Sequence, residues 1–310
     1  MLLRYPCHAV HCVGGTMYQS DVSPLRRVLM KHARDAFITP GRIAEQWKNL
    51  QYSGAPDYEV ACWESDALAT LLEELGVIVE WVAGGDLGLD SIYVRDASVV
   101  TNTGAVLCRM GKESRTLEPA AYAREYPELG VHIRGVIETP GTLEGGDVMW
   151  LDSETLAVGR SHRTNAAGIL QLREFVADSV EVLEVPLPDW KGPGDVFHLM
   201  SVVSPLAEDL MLVYSPLLPG SFRRQLLDRG FQLVEVPNGE FESLGCNVLA
   251  VAPCVALAVD GNSETRRRLE AAGVEVHTYL GIEISTKGYG GPTCLTRTLE
   301  REIDRGPELS

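Results

Sequence analysis

The chain has 310 residues, 45% of them aliphatic or aromatic and 23% charged, a balance that suits a globular protein and excludes a disordered or membrane-embedded one. A formal net charge of −16 excludes nucleic acid and anionic membrane as partners, because phosphate recognition needs clustered Lys and Arg, and it favours a cationic small molecule. Seven cysteines, an odd number without regular spacing, exclude a disulfide framework and show no CxxC or Cys/His metal pattern.

The opening stretch MLLRYPCHAVHC lacks a continuous apolar signal-peptide core, and no later apolar run reaches membrane-spanning length. A cytoplasmic setting is therefore expected. No Pro/Ser-rich linker divides the chain, so residues 1–310 read as a single domain.

In chain order, the first element is the strand-like LRRVLMKH, followed by TPGRIAEQWKNLQYSGAPDY, an irregular segment expected to form either a lid or a surface connection. DYEVACWESDALATLLEELG then reads as a helix and VIVEWV as a strand. Four runs of β-rich residues interrupted by a small polar turn follow: SVVTNTGAVLCRMG, DVMWLDSETLAVG, SVVSPLAEDLMLVY and CNVLAVAPCVALAVDG. Each is a hairpin candidate.

After three of these hairpins comes an amphipathic helix and a further strand. SHRTNAAGILQLREFVADS, with Thr164 and Asn165 as candidate caps, precedes VEVLEVPL; SFRRQLLDRG precedes FQLVEVP; SETRRRLEAAG precedes VEVHTYL. The unit strand-strand-helix-strand repeats about every 50 residues, and with the rearranged N-terminal copy it makes five modules. Periodicity of this kind permits either a line of modules or a closed ring.

Polar clusters fall at the strand edges. LDSIYVRDAS carries Asp90 and Asp96, TPGTLEGGDVMW carries Glu144 and Asp147, GPGDVFHLMS carries Asp195 and His198, and GYGGPTCLTRTLE carries Cys294 among three glycines. Taken singly, such acids are ordinary surface caps and such a histidine is an ordinary core residue. Cys108, Cys246 and Cys254 lie in apolar strand patterns and read as small core residues, whereas Cys7, Cys12 and Cys62 have no chemical company. Together, a thiol, an imidazole and paired carboxylates make one chemistry: a nucleophile, its proton carrier, and a clamp for a planar cation such as a guanidinium.

These residues resemble those of the guanidine-modifying (pentein) superfamily, which includes dimethylarginine dimethylaminohydrolases, arginine deiminases and amidinotransferases. The likeness runs from about Leu50 to Arg297 through SGAPDYEVA, LDSIYVRD, GKESR, PGTLEGGD, GRSHRTNAAG, FHLMS and GGPTC, in that order. It implies an α/β fold, a five-bladed α/β propeller with pseudo-fivefold symmetry and a central site. By position it implies Cys294 as nucleophile, His198 as proton carrier, Asp96 and Glu144 as guanidinium-binding acids, and Asp90, Arg115 and Arg163 as substrate-binding residues.

The implied reaction is hydrolysis of the guanidinium of arginine or an N-substituted arginine to a citrulline-type ureido product, through a covalent thiouronium. Water is the co-reactant, so no metal or organic cofactor is implied. The alternatives within the resemblance are an amidinotransferase and a non-catalytic propeller binding protein, and the family adds a homodimer as an expectation. Three positions depart from single branches of the superfamily: Met200 follows the dimethylargininase pattern, Arg95 in VRD follows the deiminase pattern, and Tyr289 stands where deiminases often carry an arginine that assists with the substrate's carboxylate end.

Overall fold

The structure, a computed structural model, describes residues 19–82, 85, 87–192 and 197–302. Cys7, Cys12 and Asp195 lie outside the described residues. The chain begins with β1 (Leu25–Met30), the short helices α1 (Ala33–Phe37) and α2 (Pro40–Gln46), the long α3 (Tyr58–Glu74) and β2 (Ile78–Trp81). Four similar runs follow. They are β3 (Ser98–Thr101), β4 (Gly104–Leu107), α4 (Glu118–Glu125) and β5 (Ile133–Val136), then β6 (Val148–Trp150), β7 (Thr155–Arg160), α5 (Ala166–Phe175) and β8 (Glu181–Pro186). Next are β9 (Val203–Ala207), β10 (Leu210–Val213), α6 (Gly220–Asp228) and β11 (Gln232–Glu235), then β12 (Val248–Ala252), β13 (Val255–Val259), α7 (Ser263–Ala271) and β14 (Glu275–Tyr279). A one-turn helix α8 (Pro292–Leu295) leads into β15 (Arg297–Arg301).

The strands form five three-stranded sheets, each with a middle strand that pairs antiparallel on one side and parallel on the other. A helix joins each parallel pair, as parallel neighbours require a crossover. In the sheet of β1, the antiparallel neighbour is β15 from the far end of the chain, with Val28 opposite Thr298. That is why the N-terminal copy reads as rearranged in the sequence. The sequence reading found helices after three hairpins; α4 and β5 supply the same pair after the β3–β4 hairpin as well. Their signal is weak because α4 has only eight residues, and β5 is the broken run IRGV.

Burial follows the strand position. The strands β3, β4, β9 and β10 are wholly buried, whereas β2, β5 and β11, the third strands of their sheets, hold only partly buried and exposed positions. Continuous apolar runs such as SVVT and LMLV are therefore core strands, and QLVE and IRGV face solvent on one side. Helix caps hold the crossovers in place. Asp57 accepts from the Val60 amide at 3.0 Å to start α3, and Asn165 accepts from the Gly168 amide at 2.8 Å to start α5, each contributing about 1 kcal/mol. Thr164, the other candidate cap, instead accepts from the Glu144 amide at 3.1 Å.

Cys108 and Cys246 are buried as expected, but Cys254 sits partly exposed in the β12–β13 turn at φ +59°. The two-residue turn ends the apolar run there, which alternation alone does not reveal. No helix among the described residues is long and apolar enough to cross a membrane.

Candidate active site

The first strand of every sheet is entered through a tight turn, and these five turns carry the candidate residues. Asp96 precedes β3, Glu144 and Asp147 precede β6, His198 precedes β9, Asn247 precedes β12 and Cys294 precedes β15. Hydrogen bonds join the turns in succession. The Arg95 amide donates to the Cys294 carbonyl at 3.2 Å, and the Gly145 amide donates to that of Asp96 at 2.9 Å. The Leu199 amide donates to Asp147 Oδ1 at 2.9 Å, and Ser204 Oγ donates to the Cys246 carbonyl at 2.7 Å. Asn247 completes the series by donating from Nδ2 to the Cys294 thiol at 3.1 Å. The sequence reading missed Asn247, although it stands at the hairpin edge equivalent to those of the other four.

The glycines around Cys294 are explained by what presses on them. A side chain at Gly288 would collide with the Tyr93 hydroxyl and the Tyr52 ring, and one at Gly290 with the Tyr93 ring. A Cβ on Gly291 would stand 2.6 Å from Asn247 Oδ1. Tyr289 between them adopts φ +62° and is 44% exposed at the cavity wall. Only glycine lets the backbone pass this close to three fixed side chains.

Cys294 is partly exposed at the cavity floor, yet its surroundings push the thiol up to about 11. Burial is the main cause and the nearby Asp96 carboxylate adds to it, while the Asn247 hydrogen bond, Arg95 and the Gly291 backbone pull the other way. In the empty site at neutral pH the thiol is therefore protonated.

His198 is 4% exposed and its Nε2 lies 2.8 Å from Glu144 Oε2, with Nδ1 3.9 Å from Asp96 Oδ1. Burial alone would lower the imidazolium, but the Asp96, Asp147 and Glu144 carboxylates outweigh it and raise its pKa to about 9. Burial pushes Glu144 up, and the His198 and Arg163 cations more than reverse this, so it stays ionised. Glu144 is fully buried behind His198 and does not reach the cavity wall. Its Oε1 accepts from the Gly111 and Lys112 amides at 2.9 and 3.1 Å. The acid expected to hold a guanidinium directly is thus engaged by the imidazole and two backbone amides.

The cavity has a volume of about 310 Å³, enough for an amino-acid-sized ligand, and its acids are the buried Asp90 and Asp96 and the exposed Glu242. Trp190, Phe197, Phe241 and Leu244 form an apolar flank. Arg115 also borders the cavity, and four of its five N–H donors are engaged: Glu118 takes two at 2.9 and 2.8 Å, Asp96 one at 2.5 Å, and the Tyr93 carbonyl one at 2.9 Å. It braces Asp96 rather than facing the ligand space. Arg163 lies 3.4–3.5 Å from both Glu144 oxygens. Arg95, at the position where dimethylargininases usually carry an acid, turns away to Asp21 at 3.2 Å. Lys112, unremarked in the sequence, reaches Asp90 Oδ2 at 2.6 Å.

Asp96, Glu144 and His198 offer donor atoms within 4.8 Å of one another, a spacing a metal ion could use. Arg115 and Arg163 already neutralise the two carboxylates, and Glu144 is hydrogen-bonded to His198, so a cation there would have to displace organised partners. The segment 39–58 is pinned at its end: the Ser53 amide donates to the Lys287 carbonyl at 2.8 Å and the Asp57 amide to Glu283 at 2.6 Å. Leu50 and Gln51 of that segment border the cavity.

Five like sheets, whose edge turns bring together a partly exposed Cys294 with a buried His and carboxylate cluster, define an α/β protein of the guanidine-modifying (pentein) superfamily. The model of the family described as N,N dimethylarginine dimethylhydrolase, eukaryotic, matches residues 43–292, and the chain belongs to that family. It is 37% identical over 173 residues to an N(G),N(G)-dimethylarginine dimethylaminohydrolase of Streptomyces coelicolor, covering 55% of this chain and 64% of that one. It is 27% identical over 254 residues to an arginine deiminase of Listeria welshimeri, covering 68% and 61%. In both cases less than two thirds of the relative is spanned.

Among solved structures, a dimethylarginine dimethylaminohydrolase of Pseudomonas aeruginosa complexed with citrulline superposes with a TM-score of 0.70 at 23% identity, covering 90% of this chain and all of that one. An amidinotransferase of Microseira wollei from the saxitoxin biosynthetic pathway gives 0.76 at 17% identity, covering 95% and 99%. Both likenesses concern the fold.

Proposed function

We propose that this protein is a cysteine hydrolase of the guanidinium group of arginine or an N-substituted arginine, yielding a citrulline-type ureido product and an amine or ammonia. The observation that carries the reading is the cavity, where the Cys294 thiol, held by Asn247, shares one acid-lined space with His198, which Glu144 backs from the core side. The five sheets, linked turn to turn, support the finer reading of a five-bladed propeller formed by a single domain over residues 1–310.

In this mechanism Asp96 and Asp90 receive the guanidinium, whose positive charge lowers the thiol pKa so that its proton leaves to solvent. The thiolate adds to the central carbon. His198, protonated at neutral pH, gives its proton to the departing nitrogen as the carbon–nitrogen bond breaks, leaving a thiouronium on Cys294. The neutral imidazole then takes one proton from water, the oxygen adds to the same carbon, and the carbon–sulfur bond breaks as the remaining hydroxyl proton passes to the departing sulfur, which releases the ureido product and restores the thiol. Glu144 holds the imidazole in place and stabilises its charged form.

The test is ureido formation from arginine and N-methylated arginines, with and without an added amine. No turnover of any of them, or full activity in Cys294→Ala, would sink the proposal. A new guanidino compound formed from the amine would move the assignment to an amidinotransferase.

A further inference from the structure

We propose that Lys112 determines substrate class at this site: it is an internal cation, seated on Asp90, that a substrate guanidinium displaces and that then pairs with an anionic group on the same substrate. The inference rests on the guanidine-hydrolase reading and extends it.

Lys112 and Asp90 form a 2.6 Å ion pair on the cavity wall, with side chains only 16% and 7% exposed. The Lys112 backbone is fixed by its amide bond to Glu144, while its ammonium hangs on a flexible four-carbon stem. The other cations around the cavity are differently placed. Arg115 gives four of its five donors to Glu118, Asp96 and Tyr93, and Arg163 faces Glu144. Lys191 lies 4.0 Å above Trp190 and pairs with Glu242, a largely exposed residue. Lys112 has Asp90 as its single side-chain partner among the described residues.

A guanidinium entering the acid-lined space competes with that ammonium for Asp90. If it wins, Lys112 is left mostly buried without a counterion, which is costly. A carboxylate on the incoming molecule removes the cost, since one ion pair is exchanged for two. A guanidine without an anionic group gains no such compensation. The pair therefore selects amino-acid-type guanidines over decarboxylated ones, a task that the family resemblance gives to Arg115, Arg163 and Asp90 without Lys112.

The experiment is calorimetric binding of L-arginine and of agmatine, its decarboxylated counterpart, to Cys294→Ser and to the same variant carrying Lys112→Met or Lys112→Arg. Loss of one charged contact should weaken arginine by about tenfold in the Met variant, while agmatine tightens because Asp90 is vacated. The Arg variant should keep the preference for arginine. Shifts of the same sign for both ligands, or no shift, overturn the inference, as a structural defect would not move them in opposite directions. Opposite shifts in a wild-type enzyme that turns over no guanidine would leave the inference standing and remove the hydrolase reading. Turnover with no exchange of preference would do the reverse, and binding of neither ligand would overturn both.

Discussion

Asn247 donates to the Cys294 thiol at 3.1 Å while its Oδ1 accepts the Thr293 amide at 3.2 Å, so one side chain fixes both the sulfur and the backbone beside it. At 5% exposure it is shielded from water, and its bond favours the thiolate against the effects of burial and Asp96.

Removing that donor in Asn247→Ala should raise the thiol pKa further and slow alkylation of Cys294 by iodoacetamide about tenfold below the titration midpoint. Asn247→Asp, which brings a negative charge, should slow it more. Peptide-level mass spectrometry of the rate against pH reads this directly. An unchanged profile in both variants would show that Asn247 has no influence on the sulfur.

The pH dependence of turnover follows from two groups. With the thiol near 11 and His198 near 9, the empty enzyme at pH 7 has a neutral thiol and an imidazolium. Because the reactive pair needs the thiol, near 11, ionised while the imidazole, near 9, stays protonated, rates at limiting substrate should rise with pH up to about 9, level off, and fall above about 11. Glu144→Gln removes a carboxylate that favours the imidazolium, so the rising limb should level off at lower pH and the maximal rate should drop by about 100-fold. A limb that stays in place would refute the pairing.

The raised His198 also links stability to pH. Its contribution is complete below the unfolded imidazole value of about 6.5 and is lost as pH rises through about 9. Thermal stability should decline across that window, and His198→Gln should lessen the decline. An equally steep decline in the variant would assign it to other groups.

Gly290→Ala would drive a methyl into the Tyr93 ring, which is itself pinned by its hydroxyl to the Ile284 carbonyl at 3.2 Å. A destabilisation of about 1–3 kcal/mol is expected, with a larger relative loss of turnover because the displaced segment carries Cys294. Gly239→Ala, which meets open space, serves as the control. Denaturant midpoints and turnover measured on both variants decide the matter.

Arg115→Met would strand Glu118 and one oxygen of Asp96 in the core. Breaking a buried pair of this kind costs about 3–5 kcal/mol, so urea unfolding should shift strongly. An Arg115 that only contacted substrate would leave unfolding unchanged.

The repeat was legible because most modules carry their own punctuation: apolar strands, a polar turn, an amphipathic helix and a glycine stop. LDSIYVRD, PGTLEGGD, FHLMS and GGPTC marked four of the turns that meet at the site. The fifth, at Asn247, went unread because its chemistry is a neutral amide in an otherwise apolar run, which shows nothing until the thiol stands 3.1 Å away.

The sequence by itself determined the modules, their order and the residue types available to the site, since these depend on local propensity and apolar period. Tertiary structure alone decided which charge faces which. Glu144 turned to His198 instead of the cavity, Arg115 turned to Glu118 and Asp96, and Lys112 took Asp90. The physical reason is that a buried charge must find a counterpart wherever the fold brings one, 19 to 54 residues away for Asp96, Asp90 and His198, and apart from the i,i+3 pair of Arg115 and Glu118 no local pattern records that choice.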